Sequence, residues 1–593
     1  MDFDSIKHHS FDNYCYPLSK DKLEINLQTG KDITKTFIIW GDPFAFGIMG
    51  GKEKWQGQKT EITKKVELQK FLFWSIEVAP EFKRCRYYFE LHAENETYFY
   101  CEDGFYSPEQ FNAISYQPEC FIFPWMNSAD ISTPPSWVKN TVWYQIFPSR
   151  FNRSLTANVE QNNNLKKWGT SNQKVSNYDE FGGNIKGITE KLDYLADLGV
   201  TGLYLNPINK SRSQHKYDTT DYLEVDPSFG TKEEMKTLVK EAHKRNIKIM
   251  LDGVFNHSGW DFFAWQDILK NREKSKYADW YMINDFNFPS TPSDSSAKGK
   301  FYAFAFCDPM PKFNTNNPEL RNYLLNVCET WVKEYDIDAL RLDVANEISH
   351  VFCKELHNRM RSIKKDFYIV GEIWHNALPW LRGDEFDGVM NYPLENSILN
   401  FITTEKMNAI DFEEEVNRCL TMYFKQTEES LLNQMDSHDT IRLVTKVGSE
   451  EKAMQALMIL FSMPGSACIY YGTEVMLQGE HDPDCRRCMP WKELDKGKFN
   501  SEISFMKELI ALRKTNPALY GYNVQFISEG DYKNSFSRIV HIKKTSDDNS
   551  ETLDIICNFE KKSFKVKVDS KKIVFSNNFS DGMLGENGFI VYK

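Results

Sequence analysis

The chain lacks the features that mark membrane, nucleic-acid-binding and secreted proteins. No run of about 18 uninterrupted apolar residues occurs, so no segment is expected to span a bilayer. No block of basic residues occurs, and 72 Lys and Arg against 84 Asp and Glu give a net charge of −12. Nucleic acids and anionic membranes therefore have no electrostatic support as partners. The first 16 of the 593 residues carry no apolar segment of a signal peptide, which predicts a cytoplasmic protein.

A metal-binding cysteine framework is missing as well. The twelve cysteines are scattered, and in a long chain without a signal peptide reduced thiols are expected. The one tight pair, Cys485 and Cys488, has no second pair at metal spacing, so no metal site is predicted there. What the chain has in quantity is aromatic residues, at 14%. They fit either a bulky core or stacking platforms for a flat ligand.

The residue pattern changes twice along the chain. Residues 1–125 contain short β-rich runs separated by turns, which predicts an N-terminal β-sandwich. Residues 126–139, with Thr133-Pro-Pro135, are typical of a linker. Residues 140–519 alternate apolar runs with helical patterns, and residues 520–593 return to short strands. We therefore predict a barrel domain followed by a small C-terminal antiparallel β domain.

Eight apolar runs carry the prediction of an α/β fold, a (β/α)8 TIM barrel. They cover residues 142–147, 202–206, 247–254, 337–344, 368–373, 388–392, 431–435 and 467–471. Helical patterns between them cover 185–198, 232–245, 318–335 and 351–362. About 60 residues without helical period follow the third run, which predicts an inserted domain at 257–316.

Polar and charged residues gather where four of these strands end. Because reactive groups of such barrels lie at the C-terminal ends of the strands, one rim is expected to carry them together. Salt bridges at the mouth of the barrel would explain a charged residue at any one strand end. They do not explain why four strand ends carry such residues together. The residues are Asp252, Asn256, His257, Arg341, Asp343, Asn346, Glu347, Glu372, Trp374, Asp436, His438 and Asp439.

Two carboxyls in this set differ in their expected protonation. Arg341 and Asp343 lie two apart on one strand and face the same side, so Arg341 is expected to keep Asp343 ionised. Glu372 lies between an apolar strand and the pair Ile373 and Trp374, which is expected to raise its pKa. One ionised and one protonated carboxyl are what glycoside hydrolysis requires.

These segments resemble the conserved blocks of the α-amylase family of retaining glycosidases. Asp252-Gly-Val-Phe-Asn-His257 is similar to the family's first block, and Asp338-Ala-Leu-Arg-Leu-Asp343 to the second. Residues 370–375 and 436–439 resemble the third and fourth. Residues 464–474 resemble the block of the last strand, and Met310-Pro-Lys-Phe-Asn314 that of the inserted domain.

The resemblance implies a role for each matching residue. Asp343 would be the nucleophile, Glu372 the acid and base, and Asp439 the residue that holds the reactive sugar. Arg341 would orient Asp343, and a stacking tyrosine and three histidines would line the same subsite. The remaining implied binding residues are Tyr217, His215, Asp252, Asn256, His257, Asn346, Glu347, Trp374 and His438.

Three features resemble the branch of cyclomaltodextrinases, neopullulanases and maltogenic amylases. They are the inserted-domain block 310–314, the N-terminal sandwich, and Asn346-Glu347 after the nucleophile. The branch implies cleavage of α-1,4 bonds in cyclomaltodextrins, short malto-oligosaccharides and pullulan, with some transglycosylation that Glu347 influences. It also implies a homodimer whose N-terminal sandwich covers the partner's barrel mouth. Alternatives on the same scaffold are an α-1,6-glucosidase, a glucanotransferase and a non-catalytic carbohydrate-binding protein.

Calcium is the one cofactor that some relatives of this family imply. Their site uses an Asn/Asp-rich loop and an Asp after paired glycines, whereas this chain has residues 157–164 and Asn184. Neutral amides in place of carboxylates weaken a site for a hard cation. We therefore expect no tight calcium binding and no other cofactor.

Overall fold

The structure is a computed structural model that describes residues 1–45, 55–114, 118–155, 164–527 and 537–593. These residues form two compact units. The first comprises Met1–Thr133, Leu378–Asp384 and Met407–Glu428, and the second comprises Pro134–Ala377, Glu385–Lys406 and Glu429–Lys593. In the described part of the chain, no helix is long and apolar enough to cross a membrane.

The first unit is built on the β-sandwich that the sequence predicts. One antiparallel sheet has the strand order Cys15–Pro17, Leu23–Gly30, Phe71–Val78 and Lys64–Glu67. The other has the order Gln58–Ile62, Lys35–Gly41, Cys85–His92, Thr97–Cys101 and Gly104–Tyr106, and Phe121–Phe123 also pairs with Cys85–His92. Alternate residues of each strand face inward, and Ile25, Leu27, Trp74 and Phe89 are buried between the sheets. Three helices, Pro108–Ala113, Ala409–Leu420 and Lys425–Glu428, complete this unit.

The second unit contains an eight-stranded parallel sheet, and all eight predicted strands are confirmed. In chain order they are Val142–Ile146, Gly202–Leu205, Lys248–Gly253, Ala339–Leu342, Tyr368–Gly371, Gly388–Val389, Leu432–Asn433 and Ser466–Tyr470. Each pairs in parallel with its neighbour, and the first pairs with the last. A parallel bridge between Met390 and Leu432 joins the two free edges, so the sheet closes into a barrel. Large buried side chains such as Trp143 and Tyr368 fill it.

Helices surround the barrel, and those predicted from the helical patterns at 185–198, 232–245, 318–335 and 351–362 are confirmed among them. Pro318–Tyr335 begins after Asn317, whose side chain accepts from the backbone N–H groups of Glu319 and Leu320. Lys232–Lys244 begins with a capping box between Thr231 and Glu234. The other helices are Pro148–Phe151, Ile185–Glu190, Leu192–Leu198, His350–Ile363, Tyr392–Thr403, Leu443–Val447, Glu450–Phe461, Trp491–Leu494 and Asn500–Thr515.

The long excursion after the third barrel strand is not devoid of helix, and this part of the prediction is wrong. Phe263–Asn271 forms a nine-residue helix that buries Trp265 and Ile268. The period was missed because aromatic residues occupy both faces. Backbone bridges from Tyr281 to Phe313 and from Ala303 to Pro311 hold the rest of the excursion together.

The C-terminal residues form the predicted antiparallel sheet. Its strands are Asn523–Phe526, Ile539–Thr545, Thr552–Asn558, Phe564–Lys565, Ile573–Ser580 and Met583–Tyr592. Ile556 and Ile590 are opposite each other in the register and are buried in its core.

Candidate active site

Arg341 lies at the bottom of the site and serves three carboxyl groups. Its Nη1 donates to Asp252 Oδ1 at 2.8 Å and to Asp343 Oδ1 at 2.9 Å, and its Nη2 lies 2.9 Å from Glu372 Oε2. The guanidinium is fully buried. These residues come from three adjacent barrel strands, in register at Asp252 opposite Arg341 and Arg341 opposite Val370. The fold therefore brings together residues that are 120 positions apart in the chain.

The shared guanidinium corrects the expectation that Arg341 alone keeps Asp343 ionised. Burial raises the pKa of Asp343 well above its usual range, Arg341 opposes this, and the charges of Glu372 and Asp252 add to the rise. Burial also raises the pKa of Asp252. Because three ionised carboxylates against one guanidinium would leave two uncompensated negative charges in a buried site, the cluster retains a proton.

The surroundings of Glu372 are also more polar than the sequence suggested. Its Oε2 accepts from the backbone N–H of Val344 at 2.9 Å, and its Oε1 accepts from the indole N–H of Trp374 at 3.1 Å. Two hydrogen-bond donors and the positive charge of Arg341 therefore face this carboxyl. The apolar wall predicted from Ile373 and Trp374 is therefore wrong at the carboxyl group itself, because Trp374 presents its N–H and not only its ring.

A second group of side chains orients His438. Its Nδ1 lies 2.9 Å from Gln145 Nε2, and its Nε2 lies 2.6 Å from the hydroxyl of Tyr217 and 3.0 Å from Asp439 Oδ2. The rings of Tyr217 and His438 stack with an interplanar angle of 10°. Tyr217 donates in turn to Asp252 Oδ2 at 2.9 Å. This network joins the Asp439 side of the site to the Arg341 cluster.

Asp439 has the opposite protonation behaviour to Asp343. Burial disfavours its charged form, but His438, Arg486 and Arg341 outweigh this and lower the pKa of Asp439. Arg486 Nη2 lies 3.3 Å from Asp439 Oδ1, and Arg486 Nη1 lies 2.7 Å from Asp482. The site thus holds one carboxylate that stays ionised beside a cluster that retains a proton.

Two further predicted histidines line the site in their neutral form. Burial lowers the pKa of His257 to about 3 and that of His215 to about 4. His257 Nε2 lies 3.1 Å from the carbonyl oxygen of Tyr217, and His215 Nδ1 accepts from the backbone N–H of Tyr217 at 3.1 Å. Asn256 is buried beneath them and accepts from Lys312.

The rim carries the exposed members of the predicted set. Asn346 and Glu347 lie in the turn Ala345–Glu347 directly after the fourth strand. The carboxylate of Glu347 is paired with Lys312 Nζ at 2.9 Å and remains about half exposed. Trp374 stacks face to face on Tyr392, with ring centroids 3.7 Å apart, and is 49% exposed. A ligand in the cleft can therefore meet an aromatic face and a carboxylate at its edge.

The cleft has a volume of about 520 Å³. Most of the predicted residues line it, while Asp252, Asn256 and Arg341 lie beneath its surface. Met310, from the predicted inserted-domain block, also lines it. The lining residues that the sequence analysis did not single out are Asn177, Phe304, Val344, Asp482 and Arg486.

Two residues that contact the site but were not predicted, Gln145 and Arg486, could have been recognised from the sequence. Gln145 is the polar residue of an otherwise apolar barrel strand, and Arg486 lies inside the Cys485–Cys488 pair. This segment supports His438: Cys485 Sγ donates to the His438 carbonyl at 3.1 Å, and Arg486 Nε donates to the same oxygen at 2.9 Å.

Among the residues described by the structure, no group of three or more His, Cys, Asp or Glu side chains is placed to hold a metal ion. The loop at which some relatives bind calcium lies largely outside the described residues, because residues 157–163 are not described. Asn184 is described. It caps the helix Ile185–Glu190 by accepting from the backbone N–H of Gly187 at 2.7 Å.

Comparison with known proteins gives the family. Residues 145–517 match the model of the alpha amylase catalytic domain, and residues 1–127 match its N-terminal ig-like domain. A cyclomaltodextrinase of Geobacillus thermopakistaniensis (strain MAS1) is 42% identical over 558 residues, which is 94% of this chain and 91% of that protein. An intracellular maltogenic amylase of Bacillus subtilis (strain 168) is 42% identical over 527 residues, 88% of this chain and 85% of that protein. A solved structure of a cyclomaltodextrinase superposes with a TM-score of 0.87 at 32% identity and covers all of both chains. With the barrel, the carboxyl cluster and these matches together, the chain belongs to the α-amylase family and is a glycoside hydrolase.

Proposed function

We propose that this enzyme cleaves α-1,4 bonds of cyclomaltodextrins and short malto-oligosaccharides with retention of configuration, and that pullulan is a further substrate. One observation carries the proposal: Asp343 and Glu372 contact the same guanidinium at the base of an open cleft. A retaining mechanism needs two carboxyls close to one sugar, one ionised and one protonated. The inserted-domain block 310–314, of which Met310 lines the cleft, supports the choice of substrate.

The proposed mechanism requires Glu372 to donate a proton and Asp343 to attack as a carboxylate when a substrate is bound. Asp343 attacks the anomeric carbon while Glu372 protonates the leaving glycosidic oxygen. Glu372 then removes a proton from water, which releases the sugar from Asp343. Arg341 compensates the charge that moves between the two carboxyls. Asp439, held ionised by His438 and Arg486, binds hydroxyl groups of the reacting sugar and favours its distortion.

Glu347 and Trp374 are proposed to place the acceptor. Both lie at the edge of the cleft, on the turn after the fourth strand and just beyond the fifth. A sugar that stacks on Trp374 and hydrogen-bonds to Glu347 would compete with water for the glycosyl group on Asp343, which gives transglycosylation.

The mechanism is tested with the variants Asp343→Asn and Glu372→Gln on β-cyclodextrin. Both are expected to lose glucose and maltose release, because one loses the nucleophile and the other the proton donor. Azide should restore turnover to Glu372→Gln on an activated glycoside, since a good leaving group needs no acid and the azide anion attacks the glycosyl–enzyme without a general base, whereas Asp343→Asn should stay inactive. Near-wild-type turnover in either variant would refute the assignment.

The substrate class is tested separately by initial rates on β-cyclodextrin, pullulan, soluble starch and isomaltose. The proposal expects β-cyclodextrin to be the fastest of the four. A strong preference for isomaltose would instead indicate an α-1,6-glucosidase with the same catalytic residues.

We further propose a cytoplasmic homodimer. The name of the intracellular relative supports the location, and the match of residues 1–127 to the N-terminal domain supports the dimer of this branch. Light scattering at micromolar concentration should give twice the chain mass of 69.4 kDa. A value near one chain mass would contradict the dimer and would leave the chemistry untouched.

A further inference from the structure

Two cysteines of the N-terminal sandwich, Cys101 and Cys120, lie where one strand of a sheet ends and another strand begins along the same neighbouring strand. Thr97–Cys101 and Phe121–Phe123 both pair antiparallel with Cys85–His92, at successive stretches of it. The registers place Tyr100 opposite Phe89 and Phe121 opposite Tyr87. One further step along each strand brings Cys101 and Cys120 to the same neighbour, Tyr88.

The backbone holds the two cysteines at this junction. Glu102 N donates to the Glu119 carbonyl at 2.8 Å, which pairs the residues next to both cysteines. Because each segment runs antiparallel to Cys85–His92, the two segments run in the same direction, and this hydrogen bond ties the end of one to the start of the other. Cys101 and Cys120 are therefore held side by side.

The side chains at the junction favour reaction at one of the two sulfurs. The thiol of Cys101 hydrogen-bonds to Cys120, and Arg86 Nη2 lies 3.2 Å from Cys120 Sγ. Arg86 is held there by a second hydrogen bond to the Pro118 carbonyl and by the face of Trp55. The hydrogen bond from Cys101 and the charge of Arg86 lower the pKa of Cys120 to about 7, against the effect of burial.

The other cysteines that lie near a second cysteine have no feature that lowers their pKa below the usual range. Burial raises the pKa of Cys15 to about 12, and that of its neighbour Cys85 is raised as well. Cys488 is buried near Arg150, and burial still raises its pKa to about 11. Cys120, by contrast, is in contact with the guanidinium of Arg86, whose charge favours the thiolate form.

We propose that Cys101 and Cys120 are a redox-active pair that a peroxide converts into a disulfide. The Cys120 thiolate attacks one oxygen of hydrogen peroxide, the O–O bond breaks, and hydroxide leaves as Cys120 becomes a sulfenic acid. The Cys101 sulfur then attacks the sulfenic sulfur, the S–S bond forms, and water leaves with the Cys101 proton. Two thiols are oxidised, and one peroxide is reduced to water.

The test treats the folded full-length protein with a small molar excess of hydrogen peroxide. The expected result is the loss of two of the twelve thiols and a tryptic peptide pair joined through Cys101 and Cys120, both reversed by dithiothreitol. Cys120→Ser should abolish the fast reaction. Cys101→Ser should stop at a sulfenic acid that dimedone traps, because the second sulfur is missing.

Variants of Arg86 and of a second buried cysteine distinguish this reaction from an unspecific oxidation of thiols. Arg86→Met should slow the alkylation of Cys120 by iodoacetamide at pH 7 by roughly ten-fold, and Arg86→Lys should retain part of the rate because it keeps the charge. Cys15→Ser, which removes a buried thiol of the same sandwich, should leave the Cys101–Cys120 disulfide unchanged.

Three results would overturn the proposal. They are a disulfide that joins other cysteines first, an unchanged rate of thiol loss in Cys120→Ser, and a disulfide that forms only after the protein is unfolded in urea. Circular dichroism of each variant, together with its activity on β-cyclodextrin, reports whether it is folded, so a misfolded variant cannot be mistaken for an unreactive one.

Discussion

The guanidinium of Arg341 contacts the proposed nucleophile Asp343 through Nη1 and the proposed acid Glu372 through Nη2, at 2.9 Å each. One planar cation thus bridges the two carboxyls between which charge moves during the reaction. Its fork geometry allows this, whereas a lysine ammonium is a point charge that cannot keep all three carboxyl contacts.

Arg341→Lys is therefore expected to lower kcat on β-cyclodextrin by roughly 10²–10³-fold, the usual loss when one preorganised charge contact is removed. Its thermal stability should fall too, since a buried charge loses part of its pairing. Arg321→Lys, at the helix-surface pair with Glu355, is the matched control and should change neither. A kcat within two-fold of wild type would contradict the bridging role.

Gln145 is expected to control which nitrogen of His438 carries the proton. Asp439 only accepts hydrogen bonds when ionised, so His438 Nε2 donates to it, and in the neutral imidazole Nδ1 then accepts from the Gln145 amide. Gln145→Leu leaves Nδ1 without its partner, which should lower kcat/KM by about 5–150-fold, equivalent to about 1–3 kcal/mol.

Gln145→Glu separates this role from packing, because it keeps the shape of the side chain but accepts at Nδ1 instead of donating. We expect the same loss as for Gln145→Leu at neutral pH and a changed pH profile of kcat/KM. An unchanged profile with wild-type activity would mean that Gln145 only fills space.

Trp374 combines a hydrogen bond to Glu372 with a stacked face on Tyr392, and two substitutions separate these contacts. Trp374→Phe loses only the N–H, so we expect a lower kcat and a nearly unchanged KM for β-cyclodextrin. Trp374→Ala also loses the aromatic face, so KM should rise in addition, by roughly ten-fold for a lost stacking contact. Equal kinetics of the two variants would show that the ring contributes nothing to binding.

Glu395 is a buried carboxyl outside the active site that should make stability depend on pH. Burial raises its pKa to about 8, and Gln434 Nε2 donates to it at 3.2 Å. Between the unfolded pKa of about 4.3 and the folded value, the folded chain keeps a proton that the unfolded chain has lost. The stabilising contribution is therefore full below pH 4 and is lost as the pH rises towards 8.

Glu395→Gln removes that titration and keeps the acceptor for Gln434. Its thermal midpoint, relative to wild type, should increase between pH 5 and pH 8. The exposed variant Glu405→Gln should show no such trend. A difference between Glu395→Gln and wild type that stays constant over this range would contradict the assignment.

The sequence by itself determined the fold class and pointed to the candidate site residues. Apolar runs of five to eight residues between helical patterns are enough to predict a barrel, because parallel strands that are buried on both faces consist almost entirely of apolar residues. The rule that reactive groups lie at strand C-termini then selected Asp343, Glu372 and Asp439. The helix Phe263–Asn271 lies in the segment for which the sequence predicts no helical period, since aromatic residues on both faces hide that period.

The tertiary structure alone decided how charge is distributed in the site. Local sequence paired Arg341 with Asp343 two residues away, whereas strand register also brings Asp252 and Glu372 to the same guanidinium. It likewise placed Gln145 and Arg486 against His438 and Asp439, over separations of 293 and 47 residues. Protonation depends on burial and on every charge within a few ångströms, and such neighbours are set by the closure of the barrel and not by the order of residues along the chain.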